Sequence, residues 1–339
     1  MVDARLAGDL DAARCGLLGH RRLLGVGEEL FGGFAVILAV PLTSAVATLI
    51  DVDPPRRPVL FLNPRSGGGK ATRAGLAERA RELGVAVIVL RPDDDLAALV
   101  GDAVARGADA LGAAGGDGSL AVVAAAALTH DLPFVCVPAG TRNHFALDVG
   151  VDRGDLVGSL DAFTDGVERR IDVAEVNSRL FLNNVSLGIY GDAVRESAYR
   201  HAKARTLAQT AATVLGPSAP ATGLELADDR GRSHRDPAVV LVSNNPYSFD
   251  PPRAPGTRPA LDSGQLGVVV LDRPAPGRRS ARTWTAKQLE VIATAPVHAG
   301  IDGEAVELSP PLRFVIRPAA LRVRISRSHE SARRPLERA

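Results

Sequence analysis

Lysine is almost missing from this chain of 339 residues: of its 40 lysines and arginines, only Lys70, Lys203 and Lys287 are lysine. Arginine fills nearly every other basic position, alongside much alanine and glycine, which reads as the codon bias of a GC-rich genome and not as an arginine-driven binding surface. That bias makes Lys70 conspicuous. Acidic and basic residues nearly cancel, to a formal charge of +1, so no global field recruits nucleic acid, and a nucleic-acid partner is not expected. Cysteine is limited to Cys15 and Cys136. They lie far apart, and Cys136 sits in the apolar run LPFVCVPAG, so a disulfide is not expected and a reducing compartment fits. Two standard nucleotide motifs are missing as well. A P-loop needs glycine, four residues, then Gly-Lys-Ser/Thr; here Gly69-Lys70 is followed by Ala71, and residue 64 is proline. The dinucleotide fingerprint G-x-G-x-x-G fails in the same region.

The length suffices for two domains with cores of their own, and 46% apolar with 23% charged residues is ordinary for a globular protein. Residues 31–50, FGGFAVILAVPLTSAVATLI, carry no charge. As a helix they would reach about 30 Å, one hydrocarbon thickness, so a single membrane span is expected. Gly32, Gly33 and Pro41 weaken a straight span; the alternative is a helix at the membrane surface or against the folded body. Arginines on both flanks leave orientation open. Residues 1–57 thus form an N-terminal extension, closed by the linker DVDPPRRP.

From residue 59 the pattern alternates. Apolar runs at 59–63, 85–90, 108–114 and 134–137 predict strands. Helical spacing at 71–83, 93–106 and 120–129 predicts helices between them. This is the pattern of a parallel sheet with helices on both faces, and the all-aliphatic 85–90 run suggests a strand covered on both sides. Ligands of such sheets bind beyond the carboxyl ends of the strands. Three loops fall there: NPRSGGGK at 63–70, GGDGS at 115–119 and PAGTRNHFA at 138–146. Their glycines let backbone N–H groups approach an anion, and a helix start adds partial positive charge. Asp117, boxed by Gly115, Gly116 and Gly118, calls for a cation beside a phosphate, which points to magnesium-nucleotide chemistry.

In this order and spacing the three loops resemble the catalytic domain of diacylglycerol kinases and related lipid kinases, a group with sphingosine and ceramide kinases and, more distantly, NAD kinases. The likeness continues through RRIDVAEVNSRLFLNNVSLGIYGDAV, LDSGQLGVVVL and IDGEAVEL, and so covers about residues 58–325. It implies a Rossmann-like nucleotide-binding α/β domain, placed here at 58–150, followed by a β-sandwich acceptor domain at 151–326 and a basic tail at 327–339. Short strand-like runs after residue 166, separated by Gly, Pro and Asp turns, agree with a β body; helices are predicted at 155–166 and 195–215.

The reaction implied is transfer of the ATP γ-phosphoryl group to a lipid hydroxyl, with Mg2+, by a catalytic body on the cytoplasmic face of the membrane. Matching loop by loop, Asn63, Ser66, Gly67 and Lys70 lie at the nucleotide phosphates. Gly115, Gly116, Asp117, Gly118 and Ser119 form the second loop, with Asp117 organising metal or phosphate. Thr141 and Asn143 stand near nucleotide or acceptor. In IDGE two acids either side of a glycine share a strand face or converge on a turn; by the resemblance Glu304 is the expected base, with Asp302 supporting it or binding metal. Asp262 matches a segment that holds a structural magnesium in bacterial members, although an additional expected acid is missing from Asp-Ser-Gly. Acceptors other than diacylglycerol (another lipid, a sphingoid base, NAD) and an inactive nucleotide-binding membrane protein are the competing readings. The oligomeric state is open, with a homodimer possible.

Overall fold

The computed structural model describes residues 49–188, 222–248, 258–272 and 281–329. Residues 31–48 of the apolar segment, the 195–215 helix and the tail from 330 lie outside them. The end of the apolar segment is a short strand, β1 (Ile50–Asp51), paired antiparallel at Glu168 and Val167. Among the described residues no helix is long and apolar enough to cross a membrane.

The first unit is built on β2 (Pro58–Leu62), β3 (Ala86–Val89), β4 (Ala110–Ala114) and β5 (Phe134–Val137), all parallel, in the order β5-β4-β2-β3. β2, β4 and β5 are buried throughout. β3 is the edge strand and is not covered on both faces: Val89 stays 42% exposed. The predicted helix at 71–83 is two helices, α1 (Lys70–Arg73) and α2 (Leu76–Glu82), separated at Gly75, whose φ of 60° no regular helix accommodates. α3 (Leu96–Ala105) is capped by Asp95, whose carboxylate accepts from the amides of Ala97 and Ala98. α4 (Asp117–Thr129) starts at Asp117, three residues before the apolar pattern does. α5 (His144–Asp148) is short, and 158–163 is a 3-10 turn where a longer helix is predicted.

β6 (Gly166–Val176), β7 (Arg179–Phe181) and β8 (Asn184–Gly188) begin the second unit. Later come β9 (Glu225–Asp228), β10 (Ser233–Arg235), β11 (Val239–Asn244), β12 (Leu266–Leu271), β13 (Ala281–Ala286), β14 (Gln288–Ile292), β15 (Val297–Ile301), β16 (Glu304–Leu308) and β17 (Leu312–Ser326). One antiparallel sheet runs β13-β12-β11-β8-β15-β16; the other, β10-β9-β14-β17 with β6 and β7, is continuous with the parallel sheet. The two sheets bury Phe181, Val185, Val240, Leu289 and Phe314 between them. This is the expected β-sandwich after a nucleotide-type α/β unit. The join is β17, which pairs antiparallel with β6 and β14 and parallel with β5 at Val323 and Arg324.

Candidate active site

Because β2, β4 and β5 are adjacent and in register, with Leu62 opposite Ala114 and Ala114 opposite Val137, their three C-terminal loops start side by side. In the first loop Gly67, Gly68 and Gly69 take φ of 56°, 69° and 83°. Such consecutive left-handed residues turn backbone N–H groups toward one side and form an anion-binding concavity. Gly67 also presses on the third loop: a Cβ there would collide with the Ala139 carbonyl. Asn63 Oδ1 accepts from the Arg65 amide at 3.1 Å, and the Ser66 carbonyl accepts from the Gly69 amide at 3.0 Å, which fixes the turn. Lys70 Nζ reaches back to the Gly140 carbonyl at 3.4 Å, so its charge lies between the first and third loops.

The second loop carries Asp117 on the first turn of α4, where the helix dipole favours a negative group. Its Oδ1 is buried and has no hydrogen-bond partner. Burial raises the Asp117 carboxyl above its ordinary value, while His144, Asn183, Arg142 and Arg258 all favour the ionised form. A buried, unpartnered carboxylate oxygen is costly unless a ligand completes it. The residues present therefore fit a cation here. Ser119 lies against Gly115.

In the third loop Asn143 is buried at a φ of 52° and precedes α5. Its Nδ2 donates to the carbonyls of Pro138 and Gly140, both at 2.9 Å. It holds the loop in place. Thr141 and Arg142 are exposed on the same loop.

The Asp302–Glu304 turn lies across from the second loop. Positive φ at Asp302 (49°) and Gly303 (89°) sends the two acids apart instead of letting them share a face. Glu304 lies against the second loop: a Cβ on Gly118 would run into its carboxylate, and Arg179 Nη2 lies 3.8 Å from Oε2. Both side chains of that pair are about half exposed, at 48% and 58%. Asp302 turns inward, where its carboxylate accepts from the amides of Leu182 (2.8 Å), Asn183 (2.8 Å) and Asn184 (3.1 Å). Burial pushes it up to about 6 against the pull of those donors. Its geometry is that of an anchor for residues 182–184, not of a second carboxylate beside Glu304.

Asp262 lies elsewhere, with Asp172 and Arg169. Burial raises Asp262, the Asp172 charge adds to that, and the Arg169 guanidinium opposes it. Asp172 already accepts from the amides of Gly264 (2.7 Å) and Ala319 (2.8 Å). Among the described residues no three acids, histidines or cysteines converge on a metal-sized space. Asp262 and Asp172 would offer a magnesium ion two carboxylates, one of them already accepting from two amides, and water would have to complete its octahedron.

The sequence gives no local warning of the network behind Asp117. Arg258, 4% exposed, pairs with Asp148 at the end of α5 (2.7 and 2.8 Å) and donates to the carbonyls of Leu182 (2.5 Å) and Asn244 (2.8 Å) and to Asn183 Oδ1 (2.9 Å). Its guanidinium also lies 6.0 Å from the Tyr247 ring centre. Two Asn-Asn pairs inside otherwise apolar strand patterns, at 183–184 and 244–245, are the only hint in the chain.

Amides that can cradle an anion, a carboxylate with an unsatisfied buried oxygen, and an exposed carboxylate against the same loop are the parts of a phosphotransferase. Comparison with known proteins makes the class specific. Residues 57–176 match the diacylglycerol kinase catalytic domain model. A Pseudomonas aeruginosa protein named "probable lipid kinase YegS-like" is 30% identical over 311 residues, covering 82% of this chain and 97% of its own. The diacylglycerol kinase of Mycobacterium tuberculosis is 33% identical over 118 residues, 34% of this chain and 38% of its own. A crystal structure of a diacylglycerol kinase from Bacillus anthracis has the same fold at a TM-score of 0.56 and 15% identity, over 79% of this chain and 96% of that one. The chain belongs to the diacylglycerol kinase and YegS-like lipid kinase family, and it is a lipid kinase.

Proposed function

We propose that the protein transfers the γ-phosphoryl group of ATP to the free hydroxyl of diacylglycerol, giving phosphatidic acid and ADP. The observation that carries this is the meeting, at one sheet edge, of three glycine-containing loops with a buried carboxylate oxygen that lacks a partner and, opposite it, Glu304. In this reading the 67–69 amides and Lys70 hold the nucleotide phosphates. Asp117 holds Mg2+, which when bound neutralises phosphate charge. Glu304 accepts the proton of the lipid hydroxyl as its oxygen bonds the γ-phosphorus and the bond to the β-bridging oxygen breaks. Its exposure suits a base that must meet an acceptor entering from outside. Arg179 holds its carboxylate toward Gly118. Diacylglycerol is preferred over other acceptors because the matched catalytic-domain model and the M. tuberculosis relative carry that name. Since ATP and the acceptor must meet, the site works at the cytoplasmic face of a membrane, with the apolar residues before β1 as the means of attachment.

The test is transfer from labelled ATP and Mg2+ into a total lipid extract of a GC-rich bacterium. Label comigrating with phosphatidic acid is expected, and Asp117→Ala should lower it by about a thousandfold, as loss of a site's principal charge does. A different labelled lipid would replace the acceptor. Absence of label with ATP binding intact would overturn the proposal.

A further inference from the structure

The third loop is wedged between the other two, and it extends a charge to the turn that carries Glu304. A Cβ on Gly67 of the first loop would collide with the Ala139 carbonyl. A Cβ on Gly140 would lie 2.8 Å from the Gly116 Cα and 2.9 Å from the Gly115 carbonyl oxygen of the second loop. Asn143 closes the third loop by donating to the carbonyls of Pro138 and Gly140, both at 2.9 Å. Arg153 Nη1 donates to the Arg142 carbonyl at 3.2 Å. The backbone is therefore held on both sides of Arg142, whereas the residue itself is exposed. Its side chain reaches the second unit: a Cβ on Gly303, between Asp302 and Glu304, would lie 3.6 Å from Arg142 Nη1.

The other cations described at this site have protein partners. Arg258 pairs with Asp148 at 2.7 Å. Arg179 lies 3.8 Å from the Glu304 carboxylate, and Lys70 Nζ reaches the Gly140 carbonyl at 3.4 Å. Among the described residues Arg142 forms no ion pair, and its guanidinium donates no hydrogen bond. The Glu304 carboxylate lies against Gly118. Guanidinium and candidate base thus stand at the same short turn, one reaching it from the third loop, the other lying against the second. A planar fork of N–H donors matches phosphate oxygens two at a time, which an ammonium does not.

We propose that Arg142 binds the γ-phosphoryl group during transfer. Its guanidinium donates to the phosphoryl oxygens as the lipid oxygen bonds phosphorus, the bond to the β-bridging oxygen breaks and the proton passes to Glu304. This deepens the kinase reading and rests on it. A base removes the proton but leaves the negative charge of the phosphoryl oxygens unneutralised, and phosphoryl transfer depends chiefly on positioning and on that neutralisation. Removing a donor aimed at such charge lowers turnover by about a hundredfold or more.

The γ-phosphate contact is read by comparing two nucleotides. At equal concentrations the wild type should melt higher with Mg·ATP than with Mg·ADP. Arg142→Gln keeps a polar side chain near Gly303 without its charge. Its unliganded melting temperature should match the wild type, while the ATP-over-ADP difference shrinks and turnover falls by about a hundredfold. Arg142→Lys, which keeps the charge without the fork, should recover part of both. An Arg142→Gln variant that keeps the wild-type difference and turnover overturns the proposal. So does one whose only change is a higher KM for the lipid, which assigns Arg142 to the acceptor. Should Arg142→Gln fail to fold, Arg142→Ala decides in the same way. A wild type that shows the ATP-over-ADP difference but labels no lipid refutes the lipid kinase reading, and that difference still decides the role of Arg142. A wild type that melts no higher with Mg·ATP than with Mg·ADP overturns the γ-phosphate contact, whether or not lipid is labelled.

Discussion

At the Gly116–Gly118 turn the half-buried acid has one buried oxygen without a partner; at the Asp302–Glu304 turn the half-buried acid has three partners, and it is the exposed one that lies against the second loop. Burial costs a carboxylate the same in either place. The second turn meets that cost inside the protein, with amides of its own chain. The first leaves it for a ligand to meet. A turn of acid, glycine and acid therefore says little about chemistry by itself; where each carboxylate finds its donors decides whether it holds the fold or awaits a substrate.

Three variants press on this contrast. The largest effect is expected at Glu304, since loss of a general base lowers turnover by about a hundred- to ten-thousandfold. Glu304→Gln should lose that much kcat while Mg·ATP binding, followed by the melting shift, persists; loss of both together would place Glu304 with the phosphate loops instead. Next comes Asp302→Asn, which leaves one of three buried amides without an acceptor and should cost about 1–3 kcal/mol of stability, read by denaturant unfolding. The same variant tests the sign of a pH effect. Asp302 titrates near 6 in the fold, above its ordinary 3.8, so its protonated form is favoured by folding. Its contribution is fully present below about pH 4 and is lost as pH rises through 6. That slope should vanish in Asp302→Asn; a slope that survives belongs to another group. The smallest effect is expected for Gly118→Ala. The added methyl displaces only the exposed Glu304 side chain, so turnover should drop several-fold with the melting temperature unchanged, and an unchanged rate would mean Glu304 works from a different position.

Much of this was legible in the chain because it is local. The NPRSGGGK, GGDGS and PAGTRNHFA loops are contiguous, and their strands are short apolar runs whose alternation with helices sets a parallel sheet. The missed features are non-local. Arg258 meets Asp148 across 110 positions and Asn183 across 75, and no periodicity carries such a pairing. The helix over 71–83 failed at Gly75, where a left-handed residue intervenes. The uncovered face of β3 could not be read from its aliphatic run, since edge and central strands of a parallel sheet use the same residue types. Asp302 was misjudged because sequence spacing places two acids near one another but does not say which way a turn with two positive φ angles sends them.

β17 has a consequence for the order of assembly. Val323 and Arg324 pair with β5 of the first unit, and Arg327 reaches Asp51 at 2.6 Å. During synthesis the phosphate loops leave the ribosome some 180 residues before the strand that completes their sheet. Nascent chains generally fold domain by domain from the N-terminus, but here the first unit's sheet gains its last strand only from residues near position 325. The first unit's sheet is therefore expected to be complete only once the second unit has been made too.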